Sequence, residues 1–422
     1  MKIKNLYIEN FKSFGKVEIA FQSINLLIGA NASGKSNLIT LFEFLKNIQT
    51  YGVEDAISKM GGFDSLLNFN ANSRGFTIRI ELEYDEILYT EDISNDSQIL
   101  KKREKVFYEI EANQKDSHFQ IREKISFKEV FVEYNPITEY QKELCDITYG
   151  VTNKFGRFET FENQSVIQPL SNGITPILAV DLPFSAQMLA TLNKEYKNRS
   201  ILEYRGIFIP SNLFQFGIYD IQPRLAKLDN LNANIDILNK DASNLTQVVN
   251  QVLKKDTETI EQFIASVGGV LDFIEEIKVN RFENVLSLKL KEIYNKEFTD
   301  GTLMSDGTAS VIAMIVALYN QPFQISFFEE PEQAIHPALI RQMVERFYGE
   351  ADYMDKQLFI TTHSPEMLKY FYKTNQFENI LAVSRTKKTG NTQIKTLSSD
   401  TEIEMLLEVL GIEELFIQKI IK

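Results

Sequence analysis

Gly29-Ala30-Asn31-Ala32-Ser33-Gly34-Lys35-Ser36 fits the spacing G-x-x-x-x-G-K-[ST] at every position. Glycines allow such a loop to turn successive backbone N–H groups inward, making a nest for phosphate oxygens. A helix that starts at the end of the loop adds its positive N-terminal end. In this arrangement Lys35 is expected to reach β- and γ-phosphates, and the Ser36 hydroxyl a Mg²⁺ ion. Asn31, Ser33, Gly34 and Asn37 complete the expected nucleotide-binding set.

Three further segments are suited to the same chemistry. Ile325-Ser326-Phe327-Phe328-Glu329-Glu330-Pro331 reads as an apolar strand that ends in carboxylates. A parallel strand delivers its C-terminal residues to the edge where nucleotides bind. Glu329 is expected to hold Mg²⁺, directly or through water, and Glu330 to act as general base on the attacking water. Leu303-Met304-Ser305-Asp306-Gly307-Thr308 precedes an apolar stretch and makes a Ser-x-Gly turn at a helix N-terminus. Ser305 and Gly307 are expected to face nucleotide there, an ordinary helix cap being the plainer alternative. Phe359-Ile360-Thr361-Thr362-His363-Ser364-Pro365 ends a second apolar strand in a histidine. His363 is expected to bond the γ-phosphate and orient water; the alternative is that it caps the helix after Pro365.

The elements needed to position these groups are legible. Lys2–Ile8 and Lys16–Phe21 alternate as strands, and Ile24–Ile28 is a continuous apolar run typical of a buried strand. Leu38, Leu41, Phe42, Leu45 and Ile48 repeat at helical spacing after the loop. From Gly75 to about Pro210 the pattern changes: Phe76–Tyr84, Val106–Ala112, Phe119–Phe127 and Arg157–Phe161 read as antiparallel strands, and Ser185–Tyr196 as a helix. Leu245–Leu253, with Ser243 as its cap, and Thr257–Val267 read as short helices. Leu271–Val279 and Val285–Ile293 read as strands. From Gln324 onward strand and helix alternate, the order of a parallel sheet with covering helices. A hairpin of Ile380–Ser384 with Thr392–Leu397 and two short helices follow. The fold class expected is α/β of the phosphate-loop (P-loop) kind, with a mixed parallel core sheet, antiparallel N-terminal strands, and a strand-rich plus helical insertion. The expected divisions are an N-terminal lobe at 1–74, an inserted region at 75–270 and a C-terminal lobe at 271–422.

The four motifs, in this order, resemble the ATPase heads of ABC proteins. Glu329-Glu330-Pro331-Glu332-Gln333-Ala334-Ile335-His336 overlays the transporter pattern D-E-P-T-S-A-L-D position for position, with Glu329 in place of Asp and His336 in place of the final acid. Both departures are similar to the RecF and OLD branch, to which SMC proteins are related. The opening Glu9-Asn10-Phe11-Lys12-Ser13-Phe14-Gly15 also resembles the start of that branch, whose basic residue lies near nucleotide, so Lys12 is expected to make that contact. The chain also resembles the compact AAA-family ATPases of bacterial anti-phage operons, of the Septu, PARIS or AbiL type, which are similar in size. This resemblance implies ATP and Mg²⁺ as ligands, a homodimer or a higher oligomer of dimers, and a separately encoded effector, a nuclease or toxin. It also implies a Q-loop glutamine in the middle region, for which Gln164, Gln168 and others are available.

Bulk properties narrow the alternatives. The chain has 422 residues, 44% of them hydrophobic, with a formal net charge of −13. A surface that grips nucleic acid throughout leans basic, so DNA contact requires a local patch. Lys101-Lys102-Arg103 and Arg385, Lys387 and Lys388 are short basic runs, for which solvated loops are the plainer reading. One cysteine, Cys145, and three histidines provide no zinc spacing. With no signal-like h-region and no bilayer-length apolar run, a cytoplasmic location without membrane contact is expected. No TOPRIM carboxylate set stands out, and Asp272 with Glu276 and Lys278 only loosely matches a nuclease spacing, on what reads as a core strand. The leading function is therefore an ATP-driven dimer switch controlling an effector. Its rivals are a RecF-like repair ATPase acting on DNA and a non-catalytic ATP-dependent scaffold.

Overall fold

A computed structural model describes residues 1–164, except 72, 95–96, 116–117 and 155–156. It also describes residue 168, residues 213–397 except 320 and 376–378, and residues 411–417. The helix expected at Ser185–Tyr196 lies outside the described residues. The chain forms two compact units: Met1–Ala20 with Leu41–Phe214 and Thr386–Gln393, and Phe21–Thr40 with Gln215–Arg385 and Ile394–Lys422.

The first unit is built on an antiparallel sheet in the order β8-β7-β6-β5-β4-β1-β2. Its strands are β1 (Lys2–Phe11), β2 (Phe14–Ala20), β4 (Gly75–Ser94), β5 (Ser97–Lys115), β6 (His118–Asn135), β7 (Tyr140–Lys154) and β8 (Arg157–Gln164). Strands β4 to β7 are much longer than the apolar alternation suggested. The cause is that charged residues occupy inward positions: Glu129 on β6 is buried and bonds Lys101 at 2.9 Å and Arg103 at 3.3 Å on β5. Buried ions survive only when paired in this way. Likewise the fully buried Tyr108 donates to Glu123 at 2.8 Å, and burial pushes its phenol well above the usual range. Helix α1 (Lys35–Tyr51) belongs to this unit from Leu41 onward; α2 (Val53–Lys59) and α3 (Phe63–Leu66) follow it. Phe11, Phe44, Phe63 and Phe76 join helix to sheet in a cluster of tilted and edge-on rings 5.5–5.8 Å apart.

The second unit carries a parallel sheet in the order β16-β3-β15-β14-β9. It comprises β3 (Ile24–Ile28), β9 (Phe216–Tyr219), β14 (Ile325–Glu329), β15 (Gln357–Thr362) and β16 (Ile380–Arg385). All residues of β3, β9 and β15 are buried, which explains continuous apolar runs rather than alternation. β17 (Thr392–Thr396) follows β16 through a turn closed by the Thr386 N–H on the Asn391 carbonyl at 2.9 Å. A small antiparallel sheet, β10 (Asn230–Leu231), β12 (Val285–Glu292), β11 (Ile274–Phe282) and β13 (Thr299–Asp300), also lies in this unit. Its helices are α4 (Pro223–Ala226), α5 (Leu245–Val252), α6 (Thr257–Gly268), α7 (Asp306–Tyr319), α8 (Pro337–Tyr353), α9 (Pro365–Asn375) and α10 (Ile412–Ile417). Thr308 to Leu318 of α7 are buried without interruption. A helix apolar all round belongs inside a core.

Two local expectations change. Asn244, not Ser243, occupies the cap position of α5; Ser243 is held in the preceding turn by Asn239 Nδ2 at 3.0 Å. Asp272 is exposed in a turn before β11 instead of lying on a core strand. Among the described residues no helix is long and apolar enough to cross a membrane.

The parallel sheet is held partly by Phe327, which stacks on Phe359 at 4.5 Å and meets Phe216 edge-on at 5.7 Å. Phe327→Ala should cost about 3–5 kcal/mol of stability. A thermal midpoint unchanged from that of the parent protein would contradict this packing account.

Candidate functional site

Parallel pairing puts the chemical groups at one edge of the second unit. Ile28 pairs with Thr362 and Ala382, and Glu329 with Thr361. The segments that leave β3, β14 and β15 therefore emerge side by side.

Residues 29–36 form the loop after β3. Ala32 has φ 61° and Gly34 φ 117°, left-handed conformations of the kind from which backbone nests are built, and the Ser33 N–H closes the turn on the Ala30 carbonyl at 3.1 Å. A Cβ at Gly29 would run into the Val383 carbonyl, so only glycine fits. Asn31 is exposed, Ser33 buried and Asn37 half-buried. The buried Lys35 ammonium donates to the Gly29 carbonyl at 2.7 Å and the Ala30 carbonyl at 3.4 Å. Burial pulls its pKa below the usual lysine value, while the charges of Glu330, Glu332 and Glu329 oppose that shift. Ser36 Oγ donates to Glu329 Oε1. An all-oxygen pair beside a phosphate nest and a helix N-terminus suits a hard divalent cation, so the residues present fit Mg²⁺ and a nucleotide.

Glu330 leaves the strand with φ 43°, an uncommon conformation for a non-glycine residue. Its N–H donates to the Thr361 carbonyl at 3.0 Å and also meets Thr361 Oγ1 at 3.2 Å, which holds the turn. Strain of this kind persists where surrounding bonds over-determine it. His363 Nδ1 lies 3.0 Å from Glu330 Oε1, and Gln333 Nε2 donates to Glu330 Oε2. His363 does not cap α9; the Ser364 hydroxyl does, accepting from Met367 N–H at 3.3 Å. His336 caps α8, its Nδ1 accepting from Ala338 N–H at 3.2 Å.

Glu332, to which sequence reasoning gave no role, lies 8% exposed beside these groups. Its Oε1 accepts from Thr362 Oγ1, and its Oε2 is buried without a partner among the described residues. Burial raises its pKa above the ordinary carboxylate value, opposed by the Thr362 bond and reinforced by Glu330. The Ser-x-Gly turn adjoins the same region. Ser305 Oγ accepts from Thr308 N–H at 3.0 Å and so caps α7. Gly307 packs so closely that a Cβ would sit 2.9 Å from the Ala334 carbonyl.

A cavity of about 410 Å³ is lined by Gln222, Arg224, Asp306, Glu329, Glu330 and Gln333 among others. Gln222 follows β9, the strand paired with β14, and its amide bonds Asp220 Oδ1 at 3.0 Å. It is a glutamine on the sheet edge that sequence reading left unassigned, since β9 is only four residues long and gave no signal. Of the earlier candidates, Gln164 ends β8 and Gln168 bonds the Leu144 carbonyl through its N–H at 2.6 Å, both in the first unit. Lys12 also belongs to the first unit: it has φ 52°, its N–H donates to Leu66 O at 2.7 Å, and burial lowers its pKa.

Comparison with known proteins places this geometry in context. The model of the AAA ATPase domain family matches residues 1–368. Endonuclease GajA of Bacillus cereus (strain VD045) is 24% identical over 379 residues, 87% of this chain and 56% of that protein. The chain thus spans little more than half the length of that relative. The DNA replication and repair protein RecF of Clostridium acetobutylicum is 48% identical over 40 residues, 9% of this chain and 11% of RecF. Solved SMC heads are also similar. The SmcHead bound to the C-winged helix domain of ScpA has 13% identity and a TM-score of 0.49, covering 96% of this chain and 100% of that one. The SMC head domain from Thermotoga maritima has 11% identity and a TM-score of 0.40, covering 94% and 100%.

Thr362→Val should leave the buried Glu332 carboxyl without its donor and cost about 1–3 kcal/mol. Adding Glu332→Leu should recover part of that loss. A double-mutant cycle in thermal denaturation measures the coupling, and strict additivity would deny it.

Proposed function

The chain belongs to the AAA ATPase domain family, and on that premise we propose that it is an ATP-hydrolysing switch that closes as a nucleotide-sandwiched homodimer and controls a separately encoded effector in bacterial anti-phage defence. The convergence of Lys35, Ser36, Glu329, Glu330 and His363 on one sheet edge carries the hydrolytic part of this reading.

In this mechanism the loop N–H groups and the α1 N-terminus cradle the phosphates, with Asn31, Ser33, Gly34 and Asn37 lining the cradle. Lys35 exchanges its bonds to Gly29 and Ala30 for phosphate oxygens. Ser36 and Glu329 would hold Mg²⁺, whose chemistry is to neutralise charge on the transferring phosphoryl group. Glu330 accepts a proton from water as the water oxygen bonds to the γ-phosphorus and the bond to the β-phosphate oxygen breaks, giving ADP and phosphate. Through its bond to Glu330, His363 holds that carboxylate in place and can orient the water. Gln222 extends toward the same cavity as the Q-loop glutamine. Ser305 and Gly307 present the N-terminus of α7 to the nucleotide of a second copy, so each site is completed across the dimer. Higher assemblies would be built from such dimers, in the cytoplasm. The name of the GajA relative favours a nuclease as the downstream activity, and metal-dependent cleavage of DNA or RNA by this chain alone would overturn the separate effector. The RecF relative favours a second reading, direct action on DNA.

Glu330→Gln should retain ATP binding while turnover falls roughly 10²- to 10⁴-fold, because an amide cannot accept the proton. Closed dimers should then accumulate with ATP in size-exclusion chromatography. Lys35→Ala should lose nucleotide binding, measured by calorimetry. Near-normal turnover in the first variant would move the base elsewhere; normal affinity in the second would remove the phosphate-loop assignment.

A further inference from the structure

Three loops of the first unit are fastened into one surface: residues 10–13, residues 66–71 with 73–74, and residues 386–391. The Lys12 N–H donates to Leu66 O at 2.7 Å, and the Asn68 N–H to Asn10 O at 3.0 Å. Asn10 Nδ2 donates to Ser73 Oγ at 3.0 Å. Asn68 Nδ2 reaches Asn391 Oδ1 at 3.1 Å, and Asn70 Nδ2 reaches the Thr389 carbonyl at 2.6 Å. Thr392 then ties the third loop to Ser13 through its N–H and its hydroxyl, both at 2.7 Å. Left-handed backbone at Asn10, Lys12 and Gly390 makes the tight turns possible.

The composition of this surface departs from that of the whole chain. The three loops hold Lys12, Arg74, Lys387 and Lys388 and no Asp or Glu, in a chain of net charge −13. Arg74, Lys387 and Lys388 are exposed. In their midst Phe69 is 92% exposed. A single exposed apolar residue is ordinary on a mobile loop. Phe69 differs because both its neighbours are anchored: Asn68 is buried and Asn70 is pinned to Thr389. The ring is presented to water by fixed backbone.

From this juxtaposition we infer that the three-loop surface docks single-stranded nucleic acid. The cations follow the phosphodiester chain, and Phe69 offers a platform for one unstacked base. An overall acidic protein repels polyanions, so a carboxylate-free patch fixes where such a strand can approach. A duplex does not satisfy the surface, because its bases are already stacked. DNA and RNA share the recognised chemistry, and the assay separates them.

The test is fluorescence anisotropy of the full chain, without nucleotide, with labelled oligothymidylate, oligouridylate and a duplex of matched length. Binding of either single strand in preference to the duplex is expected, and the tighter one names the polymer. Phe69→Ala should weaken binding about 5- to 100-fold. Lys387→Glu with Lys388→Glu should weaken it further and flatten the slope of log affinity against log salt by roughly 1.4. Thermal midpoints matching the parent protein establish that both variants are folded. Unchanged affinity in both, or preference for duplex, overturns the inference. So does a Phe69→Ala variant that changes oligomeric state but not oligonucleotide affinity, since the ring then serves a protein contact. The inference does not depend on ATP hydrolysis, so loss of turnover in Glu330→Gln and loss of binding in Phe69→Ala report separately.

Discussion

The parallel register of β3, β15 and β14 is the constraint on which the candidate site depends. Pairing Ile28 with Thr362, and Glu329 with Thr361, fixes three chain exits on adjacent strands, each one strand spacing from the next. A phosphate loop, two carboxylates and a histidine widely separated in sequence thereby become neighbours. A slip of one residue would turn every side chain on the shifted strand to the other face. Aromatic stacking of Phe327 on Phe359 resists that slip, because the stacked rings sit on register partners.

At the end of the edge, short-range bonds refine what the register makes possible. Thr361 holds the strained Glu330 turn through two acceptors, and Thr362 holds Glu332. Consecutive threonines on β15 thus control consecutive parts of the acidic segment after β14. The His363 imidazole adds a third tie by meeting Glu330. The acidic segment and the histidine segment are consequently one structure, and neither can move far without the other.

The sequence made the parallel half of the fold and the motif order legible because buried parallel strands are continuous apolar runs and the phosphate loop has a rigid spacing. The assignment to the AAA ATPase domain family agrees with that reading. Less was visible where structure depends on pairing at long range. The full length of β4 to β7 was hidden by inward charges such as Glu129, which are neutralised only by β5. Gln222 was indistinguishable among many glutamines until β9 proved to be the strand beside β14. Glu332 was given no role, since burial of a carboxylate cannot be read from its neighbours in the chain. The Ser305 cap was anticipated as the plainer alternative, because a serine before an apolar helix signals its start by itself.

Helix α7 has a mechanical consequence. Eleven successive residues, Thr308 to Leu318, are enclosed on all sides, and the Lys356 ammonium grips the far end through the Leu318 and Gln321 carbonyls. Close-packed interiors have low compressibility. From Thr308 onward the helix has no solvent to bend into, whereas Ser305 and Asp306 at its start are exposed. The enclosed part is a stiff segment roughly sixteen ångströms long (about 1.5 Å for each of its residues) between the exposed cap turn and the Lys356 end. The turn that caps α7 is therefore the soft end of an otherwise stiff element.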